Sequence, residues 1–120
     1  MRGLILGLAV GLAVLLTSGE GRAGYITGRD LNEVCNKDNY YSKGQCLGYI
    51  EGVHDAGSLI DKATDKRQWD SDWTACVPKG VTAGQLWEVV KKWLREYPAD
   101  WHYTADSLVA NALAEAFPCR

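Results

Sequence analysis

Four cysteines constrain this chain most, because the compartment in which it folds decides what their thiols do. They are Cys35, Cys46, Cys76 and Cys119. An even number of cysteines in a short exported chain is typical of a disulfide framework, whereas the bacterial cytoplasm would keep them reduced. The state of these thiols therefore depends on whether the chain is exported.

The N-terminus has the layout of a cleavable secretory signal. Arg2 gives a short positive region, residues 4–16 are an unbroken run of apolar residues and glycine, and a polar break ending in Gly-Arg-Ala follows. The run is shorter than the roughly 20 apolar residues of a transmembrane helix. We predict a signal peptide at 1–23, cleavage after Ala23 and a periplasmic domain at 24–120, with an uncleaved anchor as the alternative.

Removal of the signal leaves 97 residues, a length typical of one domain. They carry 11 basic and 14 acidic side chains, a formal net charge of −3. This mild acidity favours a basic partner and gives no footprint for nucleic acid or an anionic lipid surface. We predict no nucleic-acid partner, and no membrane association after signal cleavage.

Helical periodicity dominates the mature chain, and no segment shows sustained strand-like alternation. The sequence therefore predicts an all-α fold, a small compact bundle of about four helices with two disulfides. The predicted helices span about 29–36, 43–62, 82–97 and 104–116. Their predicted N-terminal caps are Thr27 with Asp30, Ser42 with Gln45, and Thr82 with Gln85. On the third helix we also predict an i, i+4 ion pair between Glu88 and Lys92.

Four cysteines allow three disulfide pairings, and the sequence does not choose among them. We expect Cys35–Cys46, joining the first two helices, and Cys76–Cys119, fastening the chain terminus to the start of the third. On the chain-entropy model these would contribute about 3 and about 4 kcal/mol. No zinc site is expected, because no C-x-x-C pair occurs and the two histidines stand far apart.

Small residues form a stripe on the second predicted helix. Gly48, Gly52 and Ala56 recur at i, i+4 and i+8. Each interior glycine costs about 1 kcal/mol relative to alanine. Close approach of another backbone would compensate for this cost. We interpret the stripe as packing inside the fold, with a dimer or partner contact as the alternative.

The sequence predicts no catalytic residue, no cofactor and no metal. Paired cysteines leave no thiolate for nucleophilic attack, and no motif of a serine hydrolase, phosphate-binding loop or zinc protease occurs. His54 and Asp55 point about 100° apart as helical neighbours, so we expect no dyad. His102 could share a face with Asp106 if the last helix starts early. A capping or surface position is favoured for both histidines.

Five tryptophans exceed what a core this small needs. Trp93 falls on the inner face of its helix and Trp87 falls off it, while the others lie in irregular segments flanked by charge. Tryptophan, tyrosine and arginine are enriched at protein–protein hot spots. In the irregular stretch we predict partner contacts by Arg67, Trp69, Asp70 and Trp73.

Residues 46–56 resemble the C-x-G-Y-I-x-G-x-x-D-A signature of the Rap/Tai immunity proteins, periplasmic antagonists of type VI secretion amidase effectors. The resemblance spans about residues 28–119 and ends in the A-F-P-C motif of residues 116–119. It implies a compact helical fold with disulfides that is often homodimeric and not catalytic. Residues 61–75 match no pattern of the family.

The resemblance implies a function as well. Members of this family bind a peptidoglycan amidase effector and block its active-site cleft. We therefore expect a periplasmic immunity-type binding protein. The alternatives are a periplasmic acid-stress or general helper protein without an effector partner, and a small cell-wall or lipid enzyme that depends on His54 or His102.

Overall fold

The computed structural model describes residues 25–63 and 73–119, and their side chains over 25–58 and 73–119. The predicted signal peptide lies outside the described residues. The described chain folds into four α-helices: α1 (Gly28–Asn36), α2 (Tyr40–Ala63), α3 (Ala83–Glu96) and α4 (Ala105–Ala116), with a short 3-10 helix at Pro98–Asp100. This confirms the predicted all-α bundle. Within the described ranges, no helix is both long and apolar enough to span a membrane.

Reciprocal capping boxes start α1 and α3 where the sequence predicts them. The Asp30 backbone N–H donates to Thr27 Oγ1 at 3.3 Å, and the Thr27 backbone N–H donates to Asp30 Oδ2 at 2.8 Å. Thr82 and Gln85 exchange the same two bonds at 3.2 and 2.9 Å. Each box satisfies N–H groups that the first helical turn leaves unpaired.

The predicted start of α2 is wrong by one turn. The helix begins at Tyr40, and Asn39 Oδ1 accepts a hydrogen bond from the Ser42 backbone N–H at 2.8 Å. Asparagine is as good an N-cap as serine and stands three residues earlier, so Ser42 falls inside the first turn and is buried. The predicted capping box between Ser42 and Gln45 is therefore not formed.

The core lies where the four amphipathic helices meet, and every pair of helices is in contact. One stripe of each helix is buried: Leu31 and Cys35 from α1, Cys46 and Ile50 from α2, Leu86, Val90 and Leu94 from α3, and Leu108, Val109 and Leu113 from α4. On the outer face of α3, Lys92 Nζ lies 3.8 Å from Glu96 rather than pairing with Glu88 as predicted. Both carboxylates stand four residues away, and an exposed pair contributes too little to fix the choice.

Both disulfides form with the expected pairing. Cys35–Cys46 joins the end of α1 to α2, and its two residues are only 2% and 0% exposed. Cys76–Cys119 ties the chain end to the segment before α3, and both of its residues are exposed. An isolated β-bridge between Ala75 and Pro118 lies beside this second cross-link. One disulfide therefore belongs to the core and the other to the surface.

Backbone hydrogen bonds connect the start of α1 to the start of α4. The Gly28 N–H donates to the Tyr103 carbonyl at 2.9 Å, and the Ala105 N–H donates to the Ile26 carbonyl at 2.8 Å. A side chain at Gly28 would overlap Leu108 and press on the Trp101 backbone. Glycine is required here because the two segments approach too closely for a Cβ atom.

Candidate interaction surface

The small-residue stripe of α2 is exposed, so its interpretation as packing inside the fold is wrong. Gly48, Gly52 and Ala56 all face away from the core. A Cβ atom at Gly48 or Gly52 would meet nothing within 4 Å. The other helices pack on the opposite side of α2, through Cys46 and Ile50. Within the described chain, nothing compensates for the cost of these interior glycines.

The stripe forms one wall of an open groove between α2 and α4, which we call the α2–α4 groove. Its walls are Gly48, Gly52 and Ala56 on α2 and Ser107, Ala110 and Asn111 on α4, and Trp73 also lines it. Tyr49 and Asp106 add the polar edge. Burial, followed by the charge of Asp106, raises the pKa of the Tyr49 phenol. The groove is thus mainly apolar, with small residues on both walls and one indole.

Trp73 is held against α2 rather than projecting freely. Its ring covers Gly57, where a Cβ atom would overlap the indole, and it meets the His54 ring in an edge-type contact at a centroid distance of 6.3 Å. The side chain is half-buried and packs against the core. Trp73 therefore has one face fixed by the fold and another toward the groove.

The other three predicted contact residues, Arg67, Trp69 and Asp70, lie outside the described residues. Their grouping with Trp73 into one surface stays a prediction.

His54 and Asp55 do touch, against the expectation that helical neighbours point apart. His54 Nδ1 lies 3.3 Å from Asp55 Oδ1, because adjacent side chains can bend toward each other by rotation about their side-chain torsions. The Asp55 side chain is 81% exposed, so water screens the pair. Among the described residues, no hydroxyl or thiol is hydrogen bonded to His54. The contact supplies an oriented imidazole but no nucleophile.

His102 lies before α4 and not on it, because the helix begins at Ala105. Its ring rests on Tyr103 with the centroids 4.1 Å apart, and the side chain is exposed. The early helix start that would give it a common face with Asp106 does not occur. Over the described ranges, no group of three or more histidine, cysteine, aspartate or glutamate residues could hold a metal ion.

Two further tryptophans are anchored by polar partners that the sequence pattern does not indicate. The Trp93 indole N–H donates to Glu115 Oε2 at 2.9 Å, and the Trp101 indole N–H donates to the Leu94 carbonyl at 2.8 Å. Trp93 also stacks on Tyr97, and the charge of Glu115 raises the pKa of the Tyr97 phenol. These two indoles serve the fold, which leaves Trp73 and Trp87 as the described tryptophans open to a partner.

A protein-family model matches this chain. The family model described as Rap1a immunity proteins covers residues 27–119, which include all four helices and all four cysteines. A search of the curated proteins found no match.

Proposed function

The chain belongs to the Rap1a immunity protein family, and we propose on that basis that it binds and neutralises a peptidoglycan amidase effector of type VI secretion. The family match over residues 27–119 is the observation that carries this proposal, because it covers the whole described fold. The resemblance of residues 46–56 to the Rap/Tai signature supports the amidase as the target class.

Neutralisation would work by occlusion and not by a reaction of this chain. A bundle that is cross-linked at its core and at its surface has a fixed shape. It therefore loses little conformational entropy when it binds a partner. We place the contact on Trp73 and the α2–α4 groove, together with Arg67, Trp69 and Asp70. The support is that Trp73 lines an open, mainly apolar groove and that these residue types are common at hot spots.

The proposed target acts on the cell wall, so the chain must meet it in the periplasm. The predicted signal peptide at 1–23 and the two disulfides suit that compartment. Intact mass of the protein from a periplasmic fraction tests the export step. The expected mass is that of a chain starting at Gly24 with all four cysteines oxidised, and a full-length reduced chain in the cytoplasm would contradict it.

Protection of cells is the direct test. Cells that export a co-encoded amidase to the periplasm should lyse, and co-expression of this chain should restore growth. Trp69→Ala should weaken the purified complex by more than about 1 kcal/mol. Tyr103→Ala, which removes an exposed aromatic ring from another segment, is the matched control. Absence of protection against every co-encoded cell-wall effector would refute the proposal.

We also propose that the chain forms a homodimer, as the Rap/Tai resemblance implies. The exposed glycines of α2 support this, because a second helix can approach closely where no Cβ atom projects. These glycines also line the α2–α4 groove, so the dimer and the effector complex would be alternative states of the same face. Light scattering should give twice the monomer mass. Gly52→Leu should dissociate the dimer, and Glu51→Leu, at the next exposed position, should not. A monomer mass for the unmodified chain at micromolar concentration would contradict the proposal.

A further inference from the structure

A second concave surface carries positive charge on this acidic chain. It lies between the turn after α1, the start of α2 and the outer side of α3. It is lined by Lys37, Tyr40, Lys43, Trp87 and Lys91, together with Cys35, Asn36, Asp38 and Asn39. We call it the basic tryptophan cleft. It shares no residue with the α2–α4 groove.

Trp87 holds two ammonium groups at one ring. Lys91 Nζ lies 4.2 Å from the ring centroid and Lys43 Nζ lies 4.7 Å from it. Both distances are within the range of a cation–π contact, in which the ring quadrupole attracts the charge. The two lysines come from different helices, so the ring fixes both charges at a place that neither helix alone would define.

Over residues 25–58 and 73–119, neither of these two charges forms an ion pair, although Asp38 also lines the cleft. Among the described residues, neither Lys43 nor Lys91 has a carboxylate within 4.0 Å, whereas Lys37 in the cleft and Lys92 elsewhere on α3 are both paired. Lys37 lies 3.3 Å from Glu33, and Lys92 lies 3.8 Å from Glu96. Like charges held together repel each other, so an anion that enters between them gains from both and removes their repulsion.

A further feature suits a protein ligand. Tyr40 is 96% exposed at the rim, and it offers an aromatic surface of the kind enriched at protein interfaces. A concave site that combines two unpaired ammonium groups with an exposed phenol favours carboxylates on a polypeptide.

We propose that the basic tryptophan cleft binds an acidic segment of the effector as a second contact, separate from the α2–α4 groove. The inference rests on the proposed function. An effector that is basic overall must then also carry a short run of aspartate or glutamate residues that reaches this cleft. Charges separated by more than about 8 Å are screened at physiological salt, so the local positive pair decides the contact and the net negative charge of the chain does not.

The test removes the two charges and leaves a shorter, uncharged polar side chain at each position. In the complex with the co-encoded amidase, Lys43→Gln with Lys91→Gln should weaken binding about tenfold and reduce its dependence on salt. Lys79→Gln with Lys92→Gln removes the same charge elsewhere and should change affinity less than about twofold. Unchanged thermal midpoints show that both double variants remain folded. Affinity and salt dependence equal to the unmodified chain in the Lys43/Lys91 variant would overturn the proposal.

A second measurement separates this proposal from the proposed function. An octaglutamate peptide should bind the unmodified chain and change its tryptophan fluorescence, and the Lys43/Lys91 variant should not bind it. This outcome is expected even if no amidase is bound. Failure of octaglutamate to bind would overturn the cleft proposal while leaving effector binding untouched. Binding to vesicles of anionic phospholipid in place of octaglutamate would overturn it as well, by assigning the cleft to membrane contact.

Discussion

The two disulfides should respond to reductant one after the other, because one is exposed and the other is buried. A water-soluble phosphine must reach a sulfur atom to reduce it. Both residues of Cys76–Cys119 are exposed, whereas those of Cys35–Cys46 are 2% and 0% exposed. Mild reduction of the folded protein should therefore open Cys76–Cys119 alone.

The singly reduced protein should remain folded but be markedly less stable. Cys76–Cys119 closes a loop with a sequence separation of 43, which on the chain-entropy model corresponds to about 4 kcal/mol. For a domain of this size that lowers the thermal midpoint by about 15–30 °C. Because small domains have about 5–15 kcal/mol of total stability, the bundle should survive this loss at room temperature.

Alkylation of the freed thiols followed by peptide mapping identifies which bridge has opened, and circular dichroism gives the midpoint. Two double variants are the controls. Cys76→Ala with Cys119→Ala should reproduce the midpoint of the singly reduced protein. Cys35→Ala with Cys46→Ala should be less stable still: its loop accounts for only about 3 kcal/mol, but two buried side chains lose their packing, at about 1 kcal/mol or more each.

Loop length alone predicts the larger loss of stability when Cys76–Cys119 is removed. Burial predicts the larger loss when Cys35–Cys46 is removed. If Cys35–Cys46 opens first, or if both bridges open together, the assignment of one cross-link to the core and one to the surface is wrong. A smaller loss of stability in the Cys35/Cys46 variant than in the Cys76/Cys119 variant would show that loop length alone governs both.

Three further expectations follow from single positions. Gly28→Ala should destabilise the fold by about 1–3 kcal/mol in urea unfolding, because its Cβ would overlap Leu108; an unchanged midpoint would refute the close approach. Gly48→Ala, the matched control on open surface, should stabilise the monomer by about 0.5–1 kcal/mol, and a loss would indicate that the position is covered. Hydrogen bonds from Thr27 lower the pKa of Asp30, so its contribution is present above the ordinary value of 3.8 and lost as the pH falls through the lowered folded pKa. Asp30→Asn should flatten the stability profile in that acidic window, and an identical acid limb in both proteins would contradict this.

Local signals in the sequence predicted local structure well, and failed where two signals competed. The boxes of Thr27 and Thr82 were predicted correctly because each stands alone before an amphipathic run. At α2 two residues with N-cap preference, Asn39 and Ser42, stand three apart, and propensity does not rank them. In the structure, Asn39 is the residue that caps the helix. Burial of Ser42 beside the core settles the register, and burial is a property of the assembled bundle.

The stripe of Gly48, Gly52 and Ala56 shows a different limit. Periodicity reports that three small residues share one face of a helix, but it does not report whether anything covers that face. The neighbours of α2 pack on Cys46 and Ile50, and this arrangement depends on the crossing of four helices. A pattern of small residues therefore predicts a close approach without naming the partner, and here the partner is not within the described chain.

The surroundings of Trp87 are the part of the surface that the sequence indicated least. The position of this tryptophan off the inner face of α3 marked it as a candidate for the surface, and the half-buried ring agrees with that. Lys91, four residues later, could have been paired with it from helical spacing, but Lys43 stands on another helix. Only the packing of α2 against α3 brings the second ammonium group to the same ring. An acidic chain thus acquires a local cationic site that its net charge conceals, and partner recognition depends on that local field because water and salt screen the rest.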